Sequence, residues 1–195
     1  MSRSTRTFIA APIAGEAARR LGRIMGHLKQ GVPGARWSHP ADLHLTLAFL
    51  GEVDDDRLLG LCKAVAEAVA GLRPIDRLGI AGLGVFPNLE RPRVLWAGVE
   101  GPGLAALEAL QRRVVEAAAG AGHPVDDPRF NPHITLARLK APKGEAVDLS
   151  ATLAPARRAD AGPWAVAEVA TYASTRPAEG QRYARLATAP LMSKR

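Results

Sequence analysis

His44-Leu-Thr-Leu-Ala-Phe-Leu-Gly51 and His133-Ile-Thr-Leu-Ala-Arg138 are two versions of one phrase, set 89 residues apart in a chain of 195. In an extended strand successive side chains alternate between faces. His44 and Thr46 are therefore expected on one side, with Leu45, Leu47 and Phe49 on the other. His133 and Thr135 stand in the same relation to Ile134 and Leu136. Each strand would offer an imidazole and a hydroxyl to one side and an apolar row to a core.

The surroundings of the two phrases also match. A strand predicted over 7–13 precedes a helix on Ala17, Leu21, Ile24, Met25 and Leu28, and then His44. A strand over 94–99 precedes a helix on Leu104, Leu107, Leu110, Val114 and Val115, and then His133. Phe8 lies 36 residues before His44 and Leu95 lies 38 before His133. Repetition of a supersecondary unit is the simplest explanation, and two such units would face each other about a pseudo-twofold axis.

Between the units the pattern predicts a helix carrying Leu58, Leu61, Cys62, Val65 and Val69 inward, with Asp54, Asp55 and Asp56 placed to cap its start. A strand over 75–86 follows, then an exposed loop over 87–93. The stretch 140–162 is rich in Ala, Pro and charge and reads as a long surface excursion. Strands over 164–174 and 182–188 end the chain. At 195 residues the chain is expected to form one compact unit with room for two lobes.

Composition narrows the function. A hydrophobic fraction of 47% and a charged fraction of 23% are those of a globular protein. The formal charge of +7 favours encounter with anions. Cys62 is the sole cysteine, so no internal disulfide or cysteine metal cluster can form, and burial as a small hydrophobe is its expected role. Residues 1–6 are polar and lack a signal peptide's apolar stretch, and no segment approaches the roughly 20 apolar residues of a membrane span. A cytoplasmic protein without membrane contact is expected.

Two imidazoles and two hydroxyls meeting across one groove suit phosphodiester hydrolysis without a metal. A neutral His takes a proton from water, a protonated His gives one to the leaving oxygen, and hydroxyls hold the non-bridging oxygens. Imidazole serves both roles because its reference pKa, about 6.5, lets the two forms coexist near neutrality. Of the other histidines, His27 reads as surface, and His39 and His123, in the loops before the motif strands, are expected in solvent. No Asp, Glu or Cys sits at ligand spacing beside His44 or His133, so neither metal nor cofactor is expected.

With the segments 6–10, Trp37 and Arg91-Pro-Arg-Val-Leu-Trp96 in support, the two phrases resemble the 2H phosphoesterases, specifically the bacterial and archaeal RNA 2′,3′-cyclic phosphodiesterases also called 2′-5′ RNA ligases. The resemblance implies an α+β fold over residues 1–195 as a single bilobal domain, with antiparallel sheets and helices in two pseudo-twofold-related lobes flanking a basic groove. It implies His44 as general acid at the ribose oxygen, His133 as the base that activates water, and a 2′-phosphate product. Thr46, Thr135 and Arg138 would bind phosphate. Strand alternation puts Arg138 on the opposite face from Thr135 unless the strand twists or bulges near its end.

Trp37 and Phe130, in the loops before the two strands, are candidates for the substrate rim. The expected partner is an RNA or oligonucleotide with a 2′,3′-cyclic phosphate end, met by a monomer. The alternatives are joining of that end to a 5′-hydroxyl in the same groove, and a non-catalytic RNA-end-binding module. Retention of both histidines and both threonines argues against the latter.

Overall fold

The computed structural model describes residues 3–125, 129–139, 149–154, 157–174 and 182–192. In chain order the described elements are β1 (Ser4–Pro12), α1 (Gly15–Leu28), β2 (Arg36–Trp37), β3 (His44–Asp54), α2 (Leu58–Val69), β4 (Ile75–Phe86), β5 (Val94–Glu100), α3 (Leu104–Gly120), β6 (His133–Arg138), α4 (Ser150–Leu153), β7 (Asp160–Val166), β8 (Glu168–Ser174) and β9 (Tyr183–Pro190).

The strands form an antiparallel sheet in the order β7-β4-β5-β6-β3-β1-β8-β9, with β2 paired to β6. Outward from the centre, β6, β5, β4 and β7 on one side answer β3, β1, β8 and β9 on the other. The duplication expected from the two phrases is thus present as two four-strand halves. The halves share one continuous sheet, because β3 and β6 bridge through Leu45 and Ile134. Beyond that bridge β2 takes the edge of β6, pairing Arg36 with Arg138 and Trp37 with Ala137.

One face of the sheet is covered by helices. Ala17, Leu21, Met25 and Leu28 of α1 are buried, and α1 packs on β7. Leu61, Val65 and Val69 of α2 are buried where it meets α3 and β9, and α3 in turn lies on β3 with Leu107, Leu110, Val114 and Ala118. Leu45 and Ile134 sit in this core with no exposed surface. Truncation at the junction of the halves leaves a cavity in both, so Leu45→Ala is expected to cost about 2–5 kcal/mol. Urea unfolding would measure it; a loss below about 1 kcal/mol contradicts the packing described.

Several expectations are corrected. β3 does not stop at Gly51: it continues to Asp54, and Gly51 takes a φ of 69°, in the left-handed region open to glycine. The aspartates therefore do not cap α2, whose N-cap is Arg57 without a side-chain bond. Asp55 instead accepts from the Thr5 hydroxyl at 2.7 Å. The single strand expected over 164–174 is two strands, broken at Ala167 and belonging to opposite ends of the sheet.

Of the stretch 140–162, residues 140–148 and 155–156 lie outside the described residues. The remainder is not a surface excursion: Leu149 and Leu153 are buried at α4, and β7 pairs with β4 from Asp160 onward. Cys62 is half-buried, with burial pushing its thiol pKa up against a hydrogen bond from Thr171.

Candidate active site

On the face away from the helices, β3 and β6 line a groove of about 1410 Å³ that holds His44, Thr46, His133, Thr135 and Arg138 together, with Trp37 and Phe130 also in its wall. The antiparallel bridge at Leu45 and Ile134 sets His44 alongside Thr135 and Thr46 alongside His133. A pseudo-twofold axis through that bridge exchanges the two His-Thr pairs.

The local backbone fixes both imidazoles in the same way. His44 Nδ1 lies 2.6 Å from the carbonyl oxygen of Asp42, and His133 Nδ1 lies 2.7 Å from that of Asn131. A carbonyl only accepts, so Nδ1 carries the hydrogen and donates in both rings. Nε2 is left on each ring to gain or lose a proton. His44 packs against Phe8 at 4.9 Å, edge-on to Tyr183 at 5.2 Å, and near Tyr172 at 6.1 Å. His133 stands edge-on to Phe86 at 5.1 Å and near Trp96 at 6.4 Å.

Burial pushes the His44 pKa below the ordinary imidazole value. The hydrogen bond to the Asp42 carbonyl and the Asp42 charge push it back up, while Arg138 and His133 add to the lowering. The ligand-free site therefore favours neutral His44, and a bound phosphate, being negative, would raise its pKa again.

Two bulges decide what joins the histidines. In β6, Trp96 faces Thr135 and Leu95 faces Ala137, so Leu136 is an extra residue. Leu136 and Ala137 are both buried, and Arg138 returns to the face of His133 and Thr135. The parity obstacle to Arg138 is removed in this way. In β3, Ala10 faces Thr46 and Ile9 faces Ala48, which makes Leu47 the extra residue. Its carbonyl accepts from the buried Gln111 side chain at 3.4 Å. Phe49, expected in the core, is turned outward by this bulge, is 60% exposed and lines the groove. Phe49 and Arg138 occupy corresponding positions in the two halves.

The groove is cationic: Arg6, Arg36, Arg129, Arg138 and Arg182 line it, against Glu52 as the one acidic side chain among the described lining residues. Of these, Arg138 alone stands within a His-x-Thr phrase in the sequence; the others reach the site from other strands and loops. The same holds for Phe86 of β4 and Tyr183 of β9, which line the groove, and for Tyr172 of β8, whose ring lies 6.1 Å from that of His44.

Of the remaining histidines, His27 is exposed, and so is His39, whose Nδ1 accepts from the Ala41 N–H at 3.2 Å. His123 is half-buried rather than in solvent, with Nε2 buried. Among the described residues no three His, Cys, Asp or Glu side chains converge as metal ligands. None of the described helices is long and apolar enough to cross a membrane.

The family described as LigT like Phosphoesterase matches the chain twice, over residues 12–96 and 99–183. The chain is 41% identical over 131 residues to an RNA 2′,3′-cyclic phosphodiesterase of Geobacillus stearothermophilus, a match spanning 67% of this chain and 41% of that longer protein. With the Aquifex aeolicus protein of the same name it shares 33% over 149 residues, 76% of this chain and 77% of the other. The crystal structure of E. coli LigT complexed with 3′-AMP superposes with a TM-score of 0.71 at 25% identity, covering 98% of this chain and all of that one.

This chain belongs to the LigT-like 2H phosphoesterase family. Each matched segment contains one His-x-Thr strand, β3 in the first and β6 in the second, while strands of both halves of the sheet fall within each segment.

Proposed function

We propose that the chain is an RNA 2′,3′-cyclic phosphodiesterase that opens a terminal cyclic phosphate to a 2′-phosphate. The observation that carries this is the pair of imidazoles held on one groove, each with Nδ1 committed to a carbonyl and Nε2 free for proton transfer. His133 Nε2 takes a proton from water as its oxygen attacks phosphorus. The bond from phosphorus to the 3′ oxygen breaks, and His44 Nε2 supplies that oxygen's proton. Thr46, Thr135 and Arg138 hold the non-bridging oxygens, and Trp37 and Phe130 meet the nucleoside at the rim.

The relatives' shared name supports the substrate, as does nucleotide binding by E. coli LigT. The groove's 1410 Å³ exceeds the roughly 300–1,000 Å³ of a small-molecule pocket, and its arginines suit a phosphate backbone. We propose further that residues 1–195 act as one unit, a cytoplasmic monomer.

The test is incubation of 2′,3′-cyclic phosphate nucleotides and short RNAs with the protein in EDTA, with product ends identified. A 2′-phosphate is expected at an undiminished rate. Activity that needs an added divalent ion, or a 3′-phosphate product, overturns the scheme.

The pH dependence of kcat/KM is expected to be a bell, rising as His133 loses its proton and falling as His44 loses its own. Because the His44 pKa lies below its ordinary value in the free protein, the descending limb comes early and the maximum falls on the acid side of neutral. In kcat the limb moves to higher pH, since bound phosphate favours the imidazolium. A profile climbing steadily into alkaline pH would remove His44 as the acid.

A further inference from the structure

The two histidines have the same backbone setting and differ in one neighbour. The residue whose carbonyl receives each Nδ1–H is Asp42 in one half and Asn131 in the other. Asp42 is 5% exposed and is the one charged residue buried to that degree among those described. Its Oδ2 accepts from the Arg182 N–H at 2.8 Å, and its Oδ1 is buried without a hydrogen bond. Asn131 is exposed and neutral. A carboxylate removed from water is poorly screened and is costly unless a cation lies close by.

Resting on the acid and base roles proposed above, we infer that Asp42 is the positioning residue that makes a two-fold symmetric site unequal: its buried charge opposes the loss of the His44 imidazolium, while Asn131, at the matching place beside His133, brings no charge. The other groups around His44 do not supply this bias. His133 and Arg138 from β6 oppose a positive charge on it. Tyr172 from β8 keeps its phenol protonated because burial raises its pKa. Tyr183 from β9 presents a ring in edge contact, and Arg182 brings another guanidinium to the rim. Among these neighbours Asp42 alone brings a negative charge, and it acts against the lowering caused by burial.

The substitution Asp42→Asn removes the charge and keeps an oxygen for the Arg182 N–H. Titration of the imidazole NMR signals in the free protein is expected to show the His44 midpoint falling and that of His133 moving less. The descending limb of kcat/KM on adenosine 2′,3′-cyclic phosphate should move to lower pH. Rates on its alkaline side would fall on the order of tenfold, with acid-side rates kept. A merely structural role would lower the rate at every pH and leave the midpoint in place. An unchanged or raised His44 midpoint in the folded variant overturns the inference, and Asp42→Ser decides in the same way if the amide prevents folding. If the midpoint falls while the alkaline rates hold, the charge asymmetry stands and the acid role of His44 is lost.

Discussion

His44→Ala and His133→Ala are each expected to lower hydrolysis of a 2′,3′-cyclic phosphate by about 100- to 10,000-fold, the usual worth of a positioned acid or base. Both variants should remain folded, since the side chains stand on the groove face and the apolar row of each strand stays in the core. The two losses are distinguishable by leaving group. A phosphodiester whose leaving group departs without a proton, such as a nitrophenyl ester, should restore much of the rate to His44→Ala, because the missing acid is no longer needed. It should not rescue His133→Ala, which still lacks the base that activates water. Full activity in either folded variant would sink the assignment, and rescue of His133→Ala alone would reverse the two roles.

Arg138→Ala should be the next most damaging change, on the order of 100-fold in kcat/KM, the scale of losing one preorganised donor to a charged transition state. That loss follows from the bulge at Leu136, which brings the guanidinium to the same face as His133 and Thr135. Arg138→Lys keeps the charge without the two-pronged geometry and should recover part of the loss. Since Arg138 also depresses the His44 pKa, its removal should move the descending limb of the pH profile upward. Wild-type rates with Arg138→Ala would place the residue outside the phosphate site, whatever its position in the groove.

Much of the site was legible because it depends on local rules. The alternation of a strand put His44 with Thr46 and His133 with Thr135 without reference to any partner strand. The apolar spacing of Ala17, Leu21, Met25 and Leu28, and of Leu107, Leu110 and Val114, marked two helices whose buried faces are those residues. Repetition of strand, helix and His-x-Thr strand was enough to imply two related halves.

What the tertiary structure alone decided is everything that depends on a partner distant in the chain. A bulge exists only where one strand has an extra residue relative to its neighbour. The outward turn of Phe49 and the return of Arg138 therefore belong to the pairing of β3 with β1 and of β6 with β5. The same holds for the break at Ala167, which sends β7 and β8 to opposite ends of the sheet. It holds also for Asp42, an ordinary polar residue before a motif until the Arg182 N–H at the start of β9 covers it. Sequence by itself determined which residues could do the chemistry, because side-chain period is a property of a single strand; their neighbours and their charges were set by packing between strands, which no single segment encodes.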